Sequence, residues 1–184
     1  MRILVSLCLA LVLLLPAAGL PGHSREKAAV RLLEDTRFFP VLADHIEKAT
    51  REIVVSMFLF KTKPGPPNRA NSILEDLIIA RKRGVRVSVL LERTARDKDS
   101  LNRVNLVTSR RLRQHGIHVV LDSPERTTHT KTIVIDRRFV FIGSHNLTQS
   151  ALSYNHELSV LIDDPALAEE VIRYVKRITA ECPN

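Results

Sequence analysis

A chain of 184 residues has room for one domain with a sizeable core and little else. Its two cysteines are too few for a four-cysteine zinc site. Its formal charge of +8, with a pI near 10.0, points to an anionic partner, either nucleic acid or an acidic membrane surface.

The N-terminus reads as an export leader. A basic start, Met1-Arg2, precedes the apolar run Ile3–Leu15. Pro16-Ala17-Ala18-Gly19 then supplies a break and the small residues expected at a cleavage site after Gly19. The run is short for a membrane span, and an uncleaved anchor is the alternative. Export would place the mature chain in the periplasm or outside the cell, with Cys182 as its one cysteine and so no internal disulfide. Residues 20–27 read as a linker and 28–182 as the folded domain.

Ala28–Leu33 is the first expected strand. Phe38, Phe39, Leu42, Ile46 and Ala49 recur at helical spacing, with Pro40 in the first turn. Glu52–Phe60 is a buried strand, and Lys61–Asn68, rich in proline, is a loop. Ile73, Leu74, Leu77 and Ile78 share a helical face that Gly84 stops, and Val85–Leu91 is the next strand. Glu92–Ser100 is charged and aperiodic, either a substrate-side loop or an ordinary solvated one. Leu101–His115 is a helix with Arg110, Arg111 and Arg113 outward, closed by Gly116, and Ile117–Leu121 is a strand. After a hairpin described below come a last strand, Leu158–Ile162, and a last helix, Ala166–Ala180. Strands alternating with helices, several of them apolar throughout, predict an α/β sandwich whose mixed, mostly parallel sheet carries helices on both faces.

The chemistry concentrates in His129-Thr-Lys131-Thr-Ile-Val-Ile-Asp136 and in Gly143-Ser144-His145-Asn146. Thr132–Ile135 and Phe139–Ile142 are short β runs joined by Asp136-Arg137-Arg138, and so form a hairpin. His129 and Lys131 lie two apart and share a face, as do Ser144 and Asn146. Such a hairpin can bring a candidate nucleophile, a cation and polar donors to one end of a sheet.

The pattern H-x-K-x4-D-x6-G-S-x-N resembles the signature of the phospholipase D superfamily, with His129, Lys131, Asp136, Gly143, Ser144 and Asn146 filling every fixed position. Glu157 sits where small single-motif members carry a glutamate, and the resemblance runs from about Val30 to about Ile178. It implies a phospholipase D-like α-β-α sandwich and a phosphodiesterase that needs no metal or other cofactor. His129 would attack phosphorus and form a phosphohistidine, with Glu157 on its other ring nitrogen. Lys131, Ser144 and Asn146 would bind the phosphate oxygens, and Gly143 would let backbone and phosphate approach closely. Asn146–Ala151 would open a short helix whose free N–H groups favour an anion. Asp136, at a turn, has either a catalytic role or that of stabilising the turn. His145 and His156 read as rim or structural residues.

Three substrate readings follow. An exported nuclease is favoured by basicity and size, with Arg81, Lys82, Arg83, Arg93, Arg96, Arg110, Arg111, Arg113, Arg126, Arg137 and Arg138 as candidate contacts. A phospholipase D acting on lipid headgroups and a non-catalytic module for phosphate polymers are the alternatives. Because the reaction needs an acid as well as a nucleophile, and the chain holds one signature copy, the expected working unit is a homodimer with its site on the two-fold axis. In a monomer, His145 or His156 would have to be the acid.

Overall fold

The computed structural model describes residues 28–63, 65, 68–95 and 100–182. The expected leader and linker, Arg96 and part of the Glu92–Ser100 loop lie outside them.

The chain runs β1 (Ala29–Glu34), α1 (Phe38–Lys48), β2 (Glu52–Met57), α2 (Arg69–Lys82), β3 (Arg86–Leu91), α3 (Ser100–Gln114), β4 (His118–Leu121), β5 (Lys131–Ile135), β6 (Phe139–Gly143), α4 (Gln149–Ser153), β7 (Leu158–Asp163) and α5 (Pro165–Glu181), with a 3-10 turn at Asp35–Arg37. Local chemistry sets the helix ends. The Asn68 side chain caps α2 by accepting from the Asn71 amide at 2.9 Å, and Gly84 leaves that helix at a φ of 96°. Asp164 caps α5 through the Ala166 and Leu167 amides, with Pro165 in the first turn.

One seven-stranded sheet forms, in the order β1-β7-β6-β5-β2-β3-β4. On one face Ile53, Val55, Ile133 and Phe141 pack under α1 and α2, and on the other Val54, Leu90, Val134 and Val140 pack under α5. The mixed sandwich with helices on both faces is as expected. The parallel character is not: only the β2–β3 and β3–β4 ladders are parallel, and the other four are antiparallel. Parallel neighbours need a long crossover, which α2 and α3 supply. The link from β5 to β6, Asp136 to Arg138, is too short for one.

The inner side of α3 departs from the usual apolar stripe. Asn105, Thr108 and Ser109 are buried there with Leu112. Asn105 accepts from the Phe60 amide at 3.0 Å and donates to the Phe58 and Glu92 carbonyls at 2.9 Å each. Thr108 donates to the Phe60 carbonyl. The helix thus binds the loops leaving β2 and β3 through hydrogen bonds.

These strand directions position the site. β2, β3 and β4 end at the edge where β5 begins, since Met57 pairs with Lys131, and β6 ends there beside the start of β7, since Gly143 pairs with Ser159.

Candidate active site

His129 precedes β5 and is held through its neighbours. The Thr128 amide donates to Glu92 Oε2 at 2.6 Å, and the Thr130 carbonyl accepts from the Phe58 amide at 2.8 Å. The ring is exposed and meets Phe58 edge-on, with centroids 4.5 Å apart. Lys131 Nζ lies 3.1 and 3.2 Å from the two ring nitrogens and 3.0 Å from the His129 carbonyl oxygen. Burial pulls the Lys131 ammonium below the ordinary lysine range, against the nearby Glu157 carboxylate, which raises it.

Ser144 and Glu157 stand beside this pair. Ser144 Oγ donates to Glu157 Oε2 and accepts from the Leu158 amide at 3.0 Å, while Glu157 Oε1 accepts from Asn155 Nδ2 at 3.0 Å. The Glu157 carboxylate is therefore bound by Ser144 and Asn155, and the expected contact with His129 in the same chain is not made. Asp35, which the sequence reading passed over, fixes Glu157 through two backbone-directed bonds of 2.8 and 2.9 Å. Asn146 lies two residues beyond Ser144, with its Oδ1 buried and without a partner among the described residues.

Four expectations are narrowed or changed. Asp136 follows β5 and so sits at the opposite end from Lys131, roughly 16 Å away. It is left-handed, at φ 55°, and accepts from the Thr50, Arg51 and Glu52 amides and the Thr50 hydroxyl. Burial raises its pKa, but these donors outweigh burial and hold the carboxyl below the usual range. It binds the α1–β2 turn and touches no reacting group.

Gly143 serves the sheet, because a Cβ there would fall on the Ser159 Cα and Oγ and the Leu158 carbonyl oxygen of β7. The helix after Asn146 starts only at the Thr148 cap and has 5 residues, too few for a useful terminal charge. His145 is a core residue, stacked on Phe38 at 4.3 Å, with Nε2 donating to the Asp35 carbonyl at 2.9 Å and Nδ1 2.7 Å from Ser159 Oγ. Burial lowers its pKa and both nitrogens are engaged, so it has no free proton to offer. His156 is at the rim, exposed, 3.3 Å from Asp35 Oδ2.

The cations also sort differently. Arg137 and Arg138 lie at the Asp136 end, paired with Glu52, Glu169 and Asp163. Arg81, Lys82, Arg83, Arg110, Arg111 and Arg113 close α2 and α3 at that same end. Arg93 and Arg126 stay near the site. Lys61 and Lys63, missed in the sequence, line with Gln149 and Tyr154 a cleft of about 250 Å³ next to the Asn146 loop. A second cleft, about 430 Å³, has Lys131 and His129 at its mouth and Ile142, Leu167, Val171 and Tyr174 as its apolar wall. Among the described residues no group of three or more His, Cys, Asp or Glu side chains is arranged to hold a metal.

The chain resembles known proteins in sequence and in fold. Residues 42–179 match the family described as cardiolipin synthase, PLD-like domain. The phospholipase D of Rickettsia typhi is 36% identical over 156 residues, covering 84% of this chain and 69% of that protein. A polyphosphate kinase of Synechocystis is 30% identical over 134 residues, 69% of this chain but 17% of the kinase, so the chain spans only a small part of that relative. The fold matches the crystal structure of a phospholipase D family member, Nuc from Salmonella typhimurium, with a TM-score of 0.70 at 23% identity, covering 85% of this chain and 97% of that one.

Proposed function

Because the chain belongs to the phospholipase D superfamily of phosphodiesterases, we propose that it is an exported nuclease of low sequence specificity that works through His129. The carrying observation is the cleft of Lys61, Lys63 and Tyr154 beside Asn146. A phosphate bound at Lys131 then has cations for the next phosphates and an exposed aromatic face for a base, which suits a polymer. Ile3–Leu15 supports export.

In this reading His129 attacks phosphorus and forms an N–P bond as the P–O bond to the leaving group breaks. Lys131 and Ser144, with the Asn146 amide, hold the non-bridging oxygens. The leaving oxygen takes a proton from an acid, and the same group later deprotonates the water that cleaves the phosphohistidine. His145 is locked in the core, which favours His129 of a second copy as that acid. Val30, Leu32, Ile142 and Leu158 leave an exposed apolar sheet face beside the site, fit for a homodimer contact.

A phospholipase D is the second reading, favoured by the apolar wall of the other cleft and by the similarity to the Rickettsia protein. Incubation of the mature protein with plasmid DNA and with phosphatidylcholine liposomes, both in excess EDTA, separates the two. Nicked plasmid with intact lipid is expected. Choline release with intact plasmid would instead establish the lipase, and cleavage of neither would leave a binding module. Activity that EDTA abolishes and magnesium or zinc restores would contradict the metal-free mechanism.

A further inference from the structure

Glu92 and Asp122 follow β3 and β4, at the edge of the sheet that carries His129. Both are nearly inaccessible, at 1% and 3% exposure. Neither is in the signature. Leu91 pairs with Leu121 and the Asp122 amide donates to the Leu91 carbonyl at 2.8 Å, so the two carboxyl groups leave neighbouring strand ends side by side. Glu92 spends Oε2 on the Thr128 amide, and Asp122 spends Oδ1 on the Ser123 amide and the Cys182 thiol. Among the described residues, Glu92 Oε1 and Asp122 Oδ2 are then both buried with no donor. Two buried carboxylates facing each other without a cation repel strongly, and one proton between them removes both the repulsion and the two orphaned oxygens.

We propose that Glu92 is a positioning residue: it shares one proton with Asp122, and this pair holds the Thr128 amide and so aims the His129 ring. Thr128 is the residue before His129, and its 2.6 Å bond to Glu92 is the tie on that side of the histidine. The Glu92 backbone is itself anchored, since its carbonyl accepts from Asn105, the residue that also fixes Phe58 against the ring. Burial and Asp122 push the Glu92 carboxyl above the ordinary range, outweighing the Thr128 amide, which pulls it down. Among the described residues, the charged neighbours are Arg93 and Arg103, which line the cleft beside Glu92, and Glu125, Arg126, Arg177 and Glu181, which line the one beside Asp122. Loss of the shared proton at higher pH leaves two facing carboxylates and loosens the loop that carries His129.

The inference rests on His129 being the nucleophile, and its test has one arm that does not. In isotope-labelled protein the Thr128 amide resonance is expected to titrate with a midpoint above the usual carboxylate range, and to show no such step in Glu92→Gln. That variant keeps an oxygen for Thr128 and gives Asp122 a permanent N–H. With bis(4-nitrophenyl) phosphate as substrate, Glu92→Gln should keep kcat within about threefold of wild type. Glu92→Ala should lose about tenfold or more in kcat with little change in KM, as for a displaced reactive group. A Thr128 amide that does not titrate, a Glu92→Ala variant with wild-type kcat, or a Glu92→Gln variant as slow as Glu92→Ala overturns the proposal. A wild-type protein that leaves the diester intact overturns the phosphodiesterase reading alone, and the amide titration still decides the shared proton.

Discussion

At the scale of single residues, exposure separates chemistry from scaffolding. His129 is exposed and Lys131 partly so, and neither carries much core packing. His129→Ala is therefore expected to abolish turnover with an unchanged melting curve, and Lys131→Ala to cost on the order of 10² in rate. Burial lowers the Lys131 pKa, so its charge is present at low pH and lost as pH rises through that lowered value. Activity should then fall on the alkaline side before an ordinary lysine titrates, and Lys131→Arg should move that limb upward. An alkaline limb that is identical in Lys131→Arg would assign it to another group.

Asp136 has the opposite profile. Its folded-state pKa is depressed, so it stabilises the fold above the ordinary aspartate pKa of about 3.9, and the contribution is lost as pH falls from there through the folded value. Asp136→Asn should cost on the order of 2 kcal/mol at neutral pH, a deficit that shrinks below about pH 4, with kcat nearly unchanged. A large loss of kcat at full stability would return Asp136 to the reaction.

At the scale of elements, the site depends on pieces that carry no signature residue. The polar inner face of α3 fastens the loops after β2 and β3, and these in turn present Phe58 and Glu92 to the His129 segment. Asn105→Leu fits the space but strands three buried backbone groups. It should lower stability by about 3 kcal/mol and reduce activity as well, read from denaturant midpoints and rates. A midpoint shift worth under about 1 kcal/mol would mean that packing, not the amide, holds these loops. The β6–β7 pair works similarly, because the absence of a side chain at Gly143 lets Ser159 approach and brings Ser144 to Glu157.

At the scale of the whole molecule, the question is whether one chain completes the reaction. With His145 locked by the Asp35 carbonyl and Ser159, the remaining histidine near the site among the described residues is His156, at the rim and bonded to Asp35. In the proposed homodimer, a two-fold axis beside His129 would supply the nucleophile from one copy and the acid from the other. Mixing wild-type protein with excess His129→Ala subunits tests this. Activity per wild-type chain should collapse as subunits exchange, and constant activity during demonstrated exchange would mean that each chain works alone.

The sequence by itself determined the hairpin, the identities of His129, Lys131, Ser144 and Asn146, and most element positions. All of these are written in short-range spacing: short apolar runs in β5 and β6, helical periodicity in α1, α2 and α5, and glycine or proline at the ends. What lay beyond it was set by pairing between distant segments. The position of Asp136 depends on the direction of β5 against β2 and on the amides of Thr50 to Glu52. The role of His145 depends on Phe38 and Asp35, more than a hundred residues earlier. The Glu92–Asp122 pair exists only because β3 and β4 end side by side. Arg137 and Arg138, next to the motif in the chain, lie at the far end of the hairpin, whereas Lys61 and Lys63 are brought to the site by the bridge between Phe60 and Leu147. Spacing along the chain fixes which face a side chain takes, but only the completed sheet fixes which end of it the side chain reaches.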